Sequence, residues 1–460
     1  MGAMNGPPDR ALTASRLSFL DILGHTLANI TPSAMATVTI SLVVANGGLF
    51  TWAVYLAVGV LMLGVAGQVA VLARQVPSAG SLFVSVGRTL HPLAGLLSGW
   101  SMVGGYLGAL LAAPVVGALF FSKALGVIGV TVGWPPIAVL FTLLAWGLTV
   151  RDAVIAVRYS LYVELLSLGA IVLVAFFTLS GHGFADPAQW HAHLSPASFF
   201  AAMTLSVLAY GGFETAANLG REGQHAKRDV PRAIVVSVLV SLVFYVFMSY
   251  TEILGFHDDP GLLARTPAPL SALAVREHLP WLALLSDMAM AVAAFSAAIA
   301  TLNTLSRLLY SMARHGVVPG SLGSVGVHRT PAPALHLLGF VVLAFALLAA
   351  ALHWHVLSVI DLFGVFTALG FIVIYALSVL AVLASHLRAG VRPPALSWVL
   401  LVTAVPLLLY VFWQSFWTAQ GATLVAAWAF VLYLGGGAAL YVWQARMGRP
   451  LDFGVARVDD

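Results

Sequence analysis

The chain has 460 residues, of which 60% are hydrophobic and only 8% charged, with 12 Trp, 25 Phe and no Cys. A soluble protein of this length covers itself with polar and charged groups, so lipid is the solvent expected for most of this surface. The net charge of +4 arises from Lys and Arg scattered in small groups between apolar runs, which is the pattern of short membrane loops and not of a nucleic-acid-binding patch.

A helix needs about 20 apolar residues to cross the hydrocarbon of a bilayer. In chain order such runs predict spans at 17–45, 49–73, 92–122, 134–150, 153–180, 198–220, 233–256, 281–312, 334–352, 356–385, 395–417 and 420–443. The first carries Asp21, His25 and Asn29 and has no small-residue cleavage pattern, so it is read as a retained span and not a removable signal. Twelve spans put both termini on one side. Of the 21 Lys and Arg residues, all but Lys123, Arg265 and Arg276 then fall on that side, which the positive-inside rule assigns to the cytoplasm. The expectation is a multi-pass protein of the inner (cytoplasmic) membrane forming one domain over 1–460. The connection around 257–280, with Asp258-Asp259-Pro260 and Pro267-Ala268-Pro269, reads either as a short lid or as a passive connector.

In hydrocarbon an interrupted helix is tolerated only where the freed backbone lines a cavity. The first span holds Asn29-Ile30-Thr31-Pro32-Ser33 near its middle, and the sixth holds Tyr210-Gly211-Gly212-Phe213-Glu214-Thr215. Pro32 removes a donor and disfavours helix at Thr31, while paired glycines weaken the sixth span. Matching breaks that open two groups of five spans point to an inverted-repeat transporter with its site between the broken helices. The repeats are placed at 17–180 and 198–385, with two extra C-terminal helices at 395–443. Residues 29–35 and 211–215 are expected to be non-helical and to face each other across a central cavity. Freed amides suit a carboxylate and freed carbonyls an ammonium, and an amino acid carries both.

Gly212-Phe213-Glu214, Arg221-Glu222-Gly223 and Arg228-Asp229-Val230-Pro231-Arg232-Ala233-Ile234 resemble the sixth-helix and following-loop signature of the amino acid–polyamine–organocation permease superfamily. Pro77-Ser78-Ala79-Gly80-Ser81 and the eighth-span run from Asn303 to Gly316 extend the resemblance over about residues 17 to 385. It implies the five-plus-five fold of the leucine-transporter type, all-α, with discontinuous first and sixth helices and alternating access to a central site. Two departures stand out. Many amino acid members have a Gly-Ser-Gly-type break in the first helix, where this chain has Thr31-Pro32-Ser33-Ala34, and the loop after the sixth span reads Arg221-Glu222 and His225-Ala226.

Ligand contacts are expected from Asn29, Thr31, Ser33, Gly211, Phe213, Tyr106 and Asn303, with their neighbours Ile30, Ala34, Tyr210 and Gly212, and Phe213 as an apolar wall or thin gate. An ionisable residue in a span is functional by default. Glu164, eleven residues into the fifth span, lies close to the bilayer centre, where proton-coupled relatives carry a lysine and sodium-coupled ones a sodium site. Glu164 and Glu214 are therefore the candidates for ion or proton coupling. A proton is favoured over sodium, which Glu164 would hold with Ser296 or Thr301. Asp287, Glu252 and Asp361 read as snorkelling at helix ends, Arg307 as a gate or lipid anchor, and His25 and His336 as packed or interfacial. Trp413, Phe416 and Trp417 read as an interfacial belt. No metal spacing, cofactor fingerprint or nucleophile elbow appears.

The reading is a secondary transporter of a small amino acid or amine, proton-coupled, needing no cofactor. The alternatives are an uncoupled facilitator or exchanger, an amine or polyamine permease, a substrate-gated channel on the same scaffold, or a membrane enzyme using His25 or His336.

Overall fold

The computed structural model describes residues 17–76, 80–151, 153–220, 222–266, 268–326, 330–417 and 421–448, with Leu451 and Phe453; of residues 153–158 only the helical backbone is described. Pro77, Ser78, Ala79, Arg221 and Pro267 of the sequence motifs, and Arg10, Arg16, Arg329, Arg449 and Arg457 of the charge pattern, lie outside the described residues. Among the described residues, eleven helical runs are long and apolar enough to cross a membrane. The first covers Phe19–Gln75, 57 residues, or about 85 Å of helix at 1.5 Å per residue, too long for one crossing. It divides at Gly48 into the first span (Phe19–Ile30 with Pro32–Gly47) and the second (Thr51–Gln75), so the chain crosses twelve times.

The remaining spans are Pro92–Val127, Trp134–Arg151, Ala153–His182, Pro196–Leu219, Ala226–Gly255, Pro280–Arg314, Ala332–Ala351, Val356–Arg388, Ala395–Trp417 and Ala422–Arg446. The third span packs along the eighth and tenth, and the second along the seventh. The tenth approaches the third so closely that a Cβ on Gly370 would lie 2.7 Å from the Gly105 Cα. Only glycine permits that contact.

The two breaks are narrower than the sequence suggested. Ser18 and Asp21 form a capping box at the start of the first span, with the Ser18 amide 2.8 Å from Asp21 Oδ2, which explains this acid as a cap. The helix runs to Ile30. Thr31 alone is left-handed, at φ 52° and ψ 59°, and Pro32 restarts the helix at its first position, where no donor is needed. The sixth span passes from α-helix to a 3-10 turn at Leu208–Tyr210, opens at Gly211 and Gly212, and continues as 3-10 helix over Phe213–Leu219. Of residues 29–35 and 211–215, expected to be non-helical, 29, 30, 32–35 and 213–215 are thus helical, and only Thr31, Gly211 and Gly212 break the helices. Proline ends one helix but also begins the next, and a 3-10 helix accommodates the sixth span without a longer gap.

On the face that carries the termini, Leu17 pairs with the loop after the sixth span, its amide 2.9 Å from the Glu222 carbonyl and its own carbonyl 2.9 Å from the Gln224 amide. Phe453 is buried on the same side between Phe83 and His315. On the opposite face, the connection after the seventh span folds into two short helices, Pro260–Ala264 and Pro269–Arg276. The second packs on the eighth span and covers Asp287, which is buried and accepts from Ser271 Oγ at 3.0 Å. Glu252 is also buried, with no hydrogen-bond partner for either carboxylate oxygen among the described residues. Neither snorkels to water. Sequence position put both near a helix end, but the folded connection seals that end.

In the same connection His257 and Asp258 are both left-handed, at φ 56° and 58°. Partial burial first, and the nearby Asp186 carboxylate second, push the Asp258 carboxyl up from 3.8 to about 6. A carboxyl whose pKa is higher in the folded state binds more protons there, so its favourable contribution is complete below about 3.8 and is lost as pH rises through about 6. Melting of the purified protein should therefore show a component that weakens from pH 4 to pH 6.5. Asp258→Asn should flatten it; an unchanged profile would show that this carboxyl does not set it.

Candidate functional site

Two adjacent chambers lie between the spans, one of about 60 Å³ and one of about 410 Å³, sharing Asn29, Met35, Ala109, Leu208, Thr301 and Thr367 as walls. The smaller is built at the breaks themselves, by Asn29, Ile30, Gly211 and Gly212 with Tyr106 and Phe371. Its volume matches about two water molecules, the size of a small polar head group. The larger extends past Thr31, Ala34, Val38 and Asp361. These residues lie on the halves of the first and tenth spans remote from the termini, so the cavity reaches toward the opposite face.

The breaks touch. Gly212 has φ 109°, and a Cβ there would lie 3.0 Å from the Asn29 carbonyl carbon and oxygen. Its amide donates to the Tyr375 hydroxyl at 3.2 Å, and that hydroxyl donates to Glu214 Oε2 at 2.7 Å. Tyr106 donates to the other oxygen of Glu214 at 2.7 Å. Glu214 is fully buried and ties the third, sixth and tenth spans together, with both oxygens occupied by phenols. Phe213 stacks on Tyr375 with ring centroids 4.8 Å apart at 12°; it faces the tenth span and does not wall either chamber.

Glu164 is fully buried beside the other break. Its Oε1 accepts from the Ser33 backbone amide at 3.2 Å, and Oε2 has no partner among the described residues. The geometry follows from local sequence. Pro32 has no N–H, the Met35 amide turns back to the Thr31 carbonyl at 2.9 Å, and the restarting helix therefore offers only the Ser33 and Ala34 amides at its positive end. Glu164 takes the first. The second belongs to a residue that lines the larger chamber. Neither Ser296 nor Thr301 hydrogen-bonds to Glu164; Thr301 Oγ1 donates to Asn29 Oδ1 at 3.3 Å.

Of the residues singled out in the sequence, Asn29, Ile30, Thr31, Ala34, Tyr106, Gly211 and Gly212 line the two chambers. Ser33, Tyr210, Phe213, Asn303, Glu164 and Glu214 lie outside both linings. Tyr210 donates to the Tyr55 carbonyl at 2.9 Å. Asn303 is directed away: its amide nitrogen donates to the Ile299 carbonyl, and its oxygen accepts from Arg307 at 3.0 Å. Thr301, two positions earlier, takes its place on the chamber wall, because two residues turn a helix by about 200°. Thr367 and Phe371 of the tenth span were not identified; the few polar residues of that largely apolar run do not mark which face meets the cavity.

Below the chambers a buried column joins the first and eighth spans. The Asn29 amide donates to the His25 carbonyl at 2.9 Å, and His25 Nε2 lies 3.0 Å from Thr304 Oγ1. One turn further, Arg307 makes a bidentate pair with Glu222, at 2.5 and 2.8 Å. Arg307 is buried, so it is no lipid anchor.

The sequence model of the amino acid permease family matches residues 22–440. The chain belongs to the amino acid permease family. The permease is 26% identical over 278 residues to the branched-chain amino acid permease of Bacillus subtilis (strain 168), covering 56% of this chain and 59% of that protein. It is 27% identical over 318 residues to the low-affinity putrescine importer of Escherichia coli (strain K12), covering 65% of this chain and 67% of that one. Among solved structures, that of MhsT in complex with L-phenylalanine superposes with a TM-score of 0.58 at 17% identity, covering 88% of this chain and 99% of that chain. At that identity the likeness shows the fold alone, the all-helical leucine-transporter fold, with which the twelve spans described above agree. Family membership places the chain among multi-pass membrane transporters and not enzymes.

Proposed function

We propose that this permease moves a small amino acid or amine across the cytoplasmic membrane by alternating access, coupled to protons through Glu164. Both termini are cytoplasmic in this reading, and lipid surrounds a single transporter domain with repeats at 17–180 and 198–385 and two further helices at 395–443. The observation that carries it is the meeting of two broken helices at a small chamber, with a buried carboxylate on the positive end of one of them. Relatives that carry branched-chain amino acids or putrescine support the solute class.

Alternating access needs one side closed. The Arg307–Glu222 pair, the His25–Thr304 contact and the Leu17 pairing close the side of the termini, while the larger chamber reaches the other. Ionised Glu164 neutralises the positive end of the restarting helix, and its charge is costly at that depth. Protonation restores the positive potential of the restarting helix, whose Ala34 lines the larger chamber, and so favours an anionic head group there. Proton binding and carboxylate binding then favour each other, and the favour is mutual by linkage.

The test is uptake into sodium-free proteoliposomes with labelled leucine and labelled putrescine under an imposed pH gradient. Accumulation above the outside concentration is the expected result. Equilibration without accumulation would establish the facilitator, and no movement of either solute would remove the reading.

A further inference from the structure

Sequence position placed Asp361 at a helix end, where snorkelling explains a charge. The structure keeps it exposed and adds a second feature. It is an exposed side chain on the wall of the larger chamber and the one carboxylate among the residues lining either chamber. Glu164 and Glu214, the acids expected to face the solute, are buried behind the walls and hydrogen-bonded there. Asp361 makes no hydrogen bond or ion pair among the described residues. No Lys, Arg or His lines the cavity to neutralise it.

Asp361 and Thr367 lie on the same span, and Thr367 walls both chambers. Six residues separate them, so the carboxylate stands about 9 Å above the floor of the cavity along the helix axis. The lining of the larger chamber is chiefly aliphatic, with Val38, Ala112, Val116 and Val365 among its residues. An apolar shaft with a small polar chamber at one end and a lone carboxylate near the other fits an elongated solute. One polar end would sit at the broken helices, an aliphatic stem would fill the shaft, and a second, cationic end would meet the acid. A charge pair across a narrow, apolar-walled cavity is screened less than one on an open surface.

We infer that Asp361 is a cation-recognising residue of this site, selecting aliphatic solutes with a second positive charge, such as diamines or basic amino acids, over neutral ones. The inference rests on the proposed transport site and narrows its solute class. It is tested by equilibrium binding to the purified full chain, parent and Asp361→Asn, with 1,5-diaminopentane, n-pentylamine, lysine and leucine. The two amines differ by one ammonium group. The parent should prefer the diamine and lysine. Asp361→Asn should weaken these by about tenfold to a hundredfold, the range of a charge-assisted contact, and leave n-pentylamine and leucine within about twofold. Asp361→Glu should retain the preference, and an unchanged melting temperature without ligand should show that the variants are folded. Equal losses for charged and neutral probes, no loss, or a parent that binds leucine alone would overturn the assignment and leave the transport site standing. Binding of none of the four would overturn both.

Discussion

Glu164→Gln should abolish accumulation driven by a pH gradient while retaining exchange of labelled for unlabelled solute. Glutamine has nearly the volume of a protonated glutamic acid and carries no charge, so it imitates one of the two states between which the carboxyl would switch. The Ser33 amide, 3.2 Å from Oε1 in the parent, then faces a neutral carbonyl, and the end of the restarting helix keeps its positive potential at every pH. One pH unit is worth about 1.4 kcal/mol per proton, so a parent moving one proton per solute accumulates up to about tenfold per unit. The variant should accumulate none. Exchange needs only the loaded carrier to reorient, and it should persist within a few-fold. Accumulation by Glu164→Gln that tracks the gradient as the parent does would remove the coupling role. Parental uptake that requires sodium and ignores the gradient would give the role to sodium.

Arg307→Ala should lower stability by about 3–5 kcal/mol, because it leaves the Glu222 carboxylate buried with its bidentate partner gone. Both side chains are nearly inaccessible, at 3% and 4% exposure. Arg307 also holds the Asn303 carbonyl and side-chain oxygens at 3.1 and 3.0 Å; the side-chain oxygen loses this donor, while the carbonyl keeps Ser306 Oγ at 3.0 Å. The double change Arg307→Met with Glu222→Met replaces both charges with apolar groups and should recover much of the loss. Denaturant or thermal unfolding in detergent measures the series. A single variant as stable as the parent would mean that water reaches the pair.

The architecture was legible because the bilayer imposes it. Twelve apolar runs and the one-sided Arg and Lys specified the number of crossings before any coordinate was known, and every span begins and ends within a few residues of its run, save the seventh, which starts at Ala226. The positions of the breaks were legible too, since Pro32 and Gly211-Gly212 are punctuation that a continuous helix rejects. What the sequence withheld is rotation. Asn303 and Thr301 are equally plausible from composition, yet helical phase points one at Arg307 and the other at the chamber. Asp361 and Glu252 both lie near span ends, and only packing shows that one lines the cavity while the other is sealed. Glu164 was recognised by depth, but its partner, a backbone amide 131 positions away, is a product of folding.

The break in the first span has a mechanical consequence. A single residue, Thr31, joins its two helical halves, and with planar peptides on either side it contributes just two soft torsions. Two torsion axes make a universal joint and not a free swivel, so any reorientation of one half against the other is confined to the φ and ψ combinations that a residue other than glycine allows. Threonine, with its branched side chain and its hydroxyl donating to the Ala28 carbonyl at 2.9 Å, stiffens that joint where glycine would leave it slack.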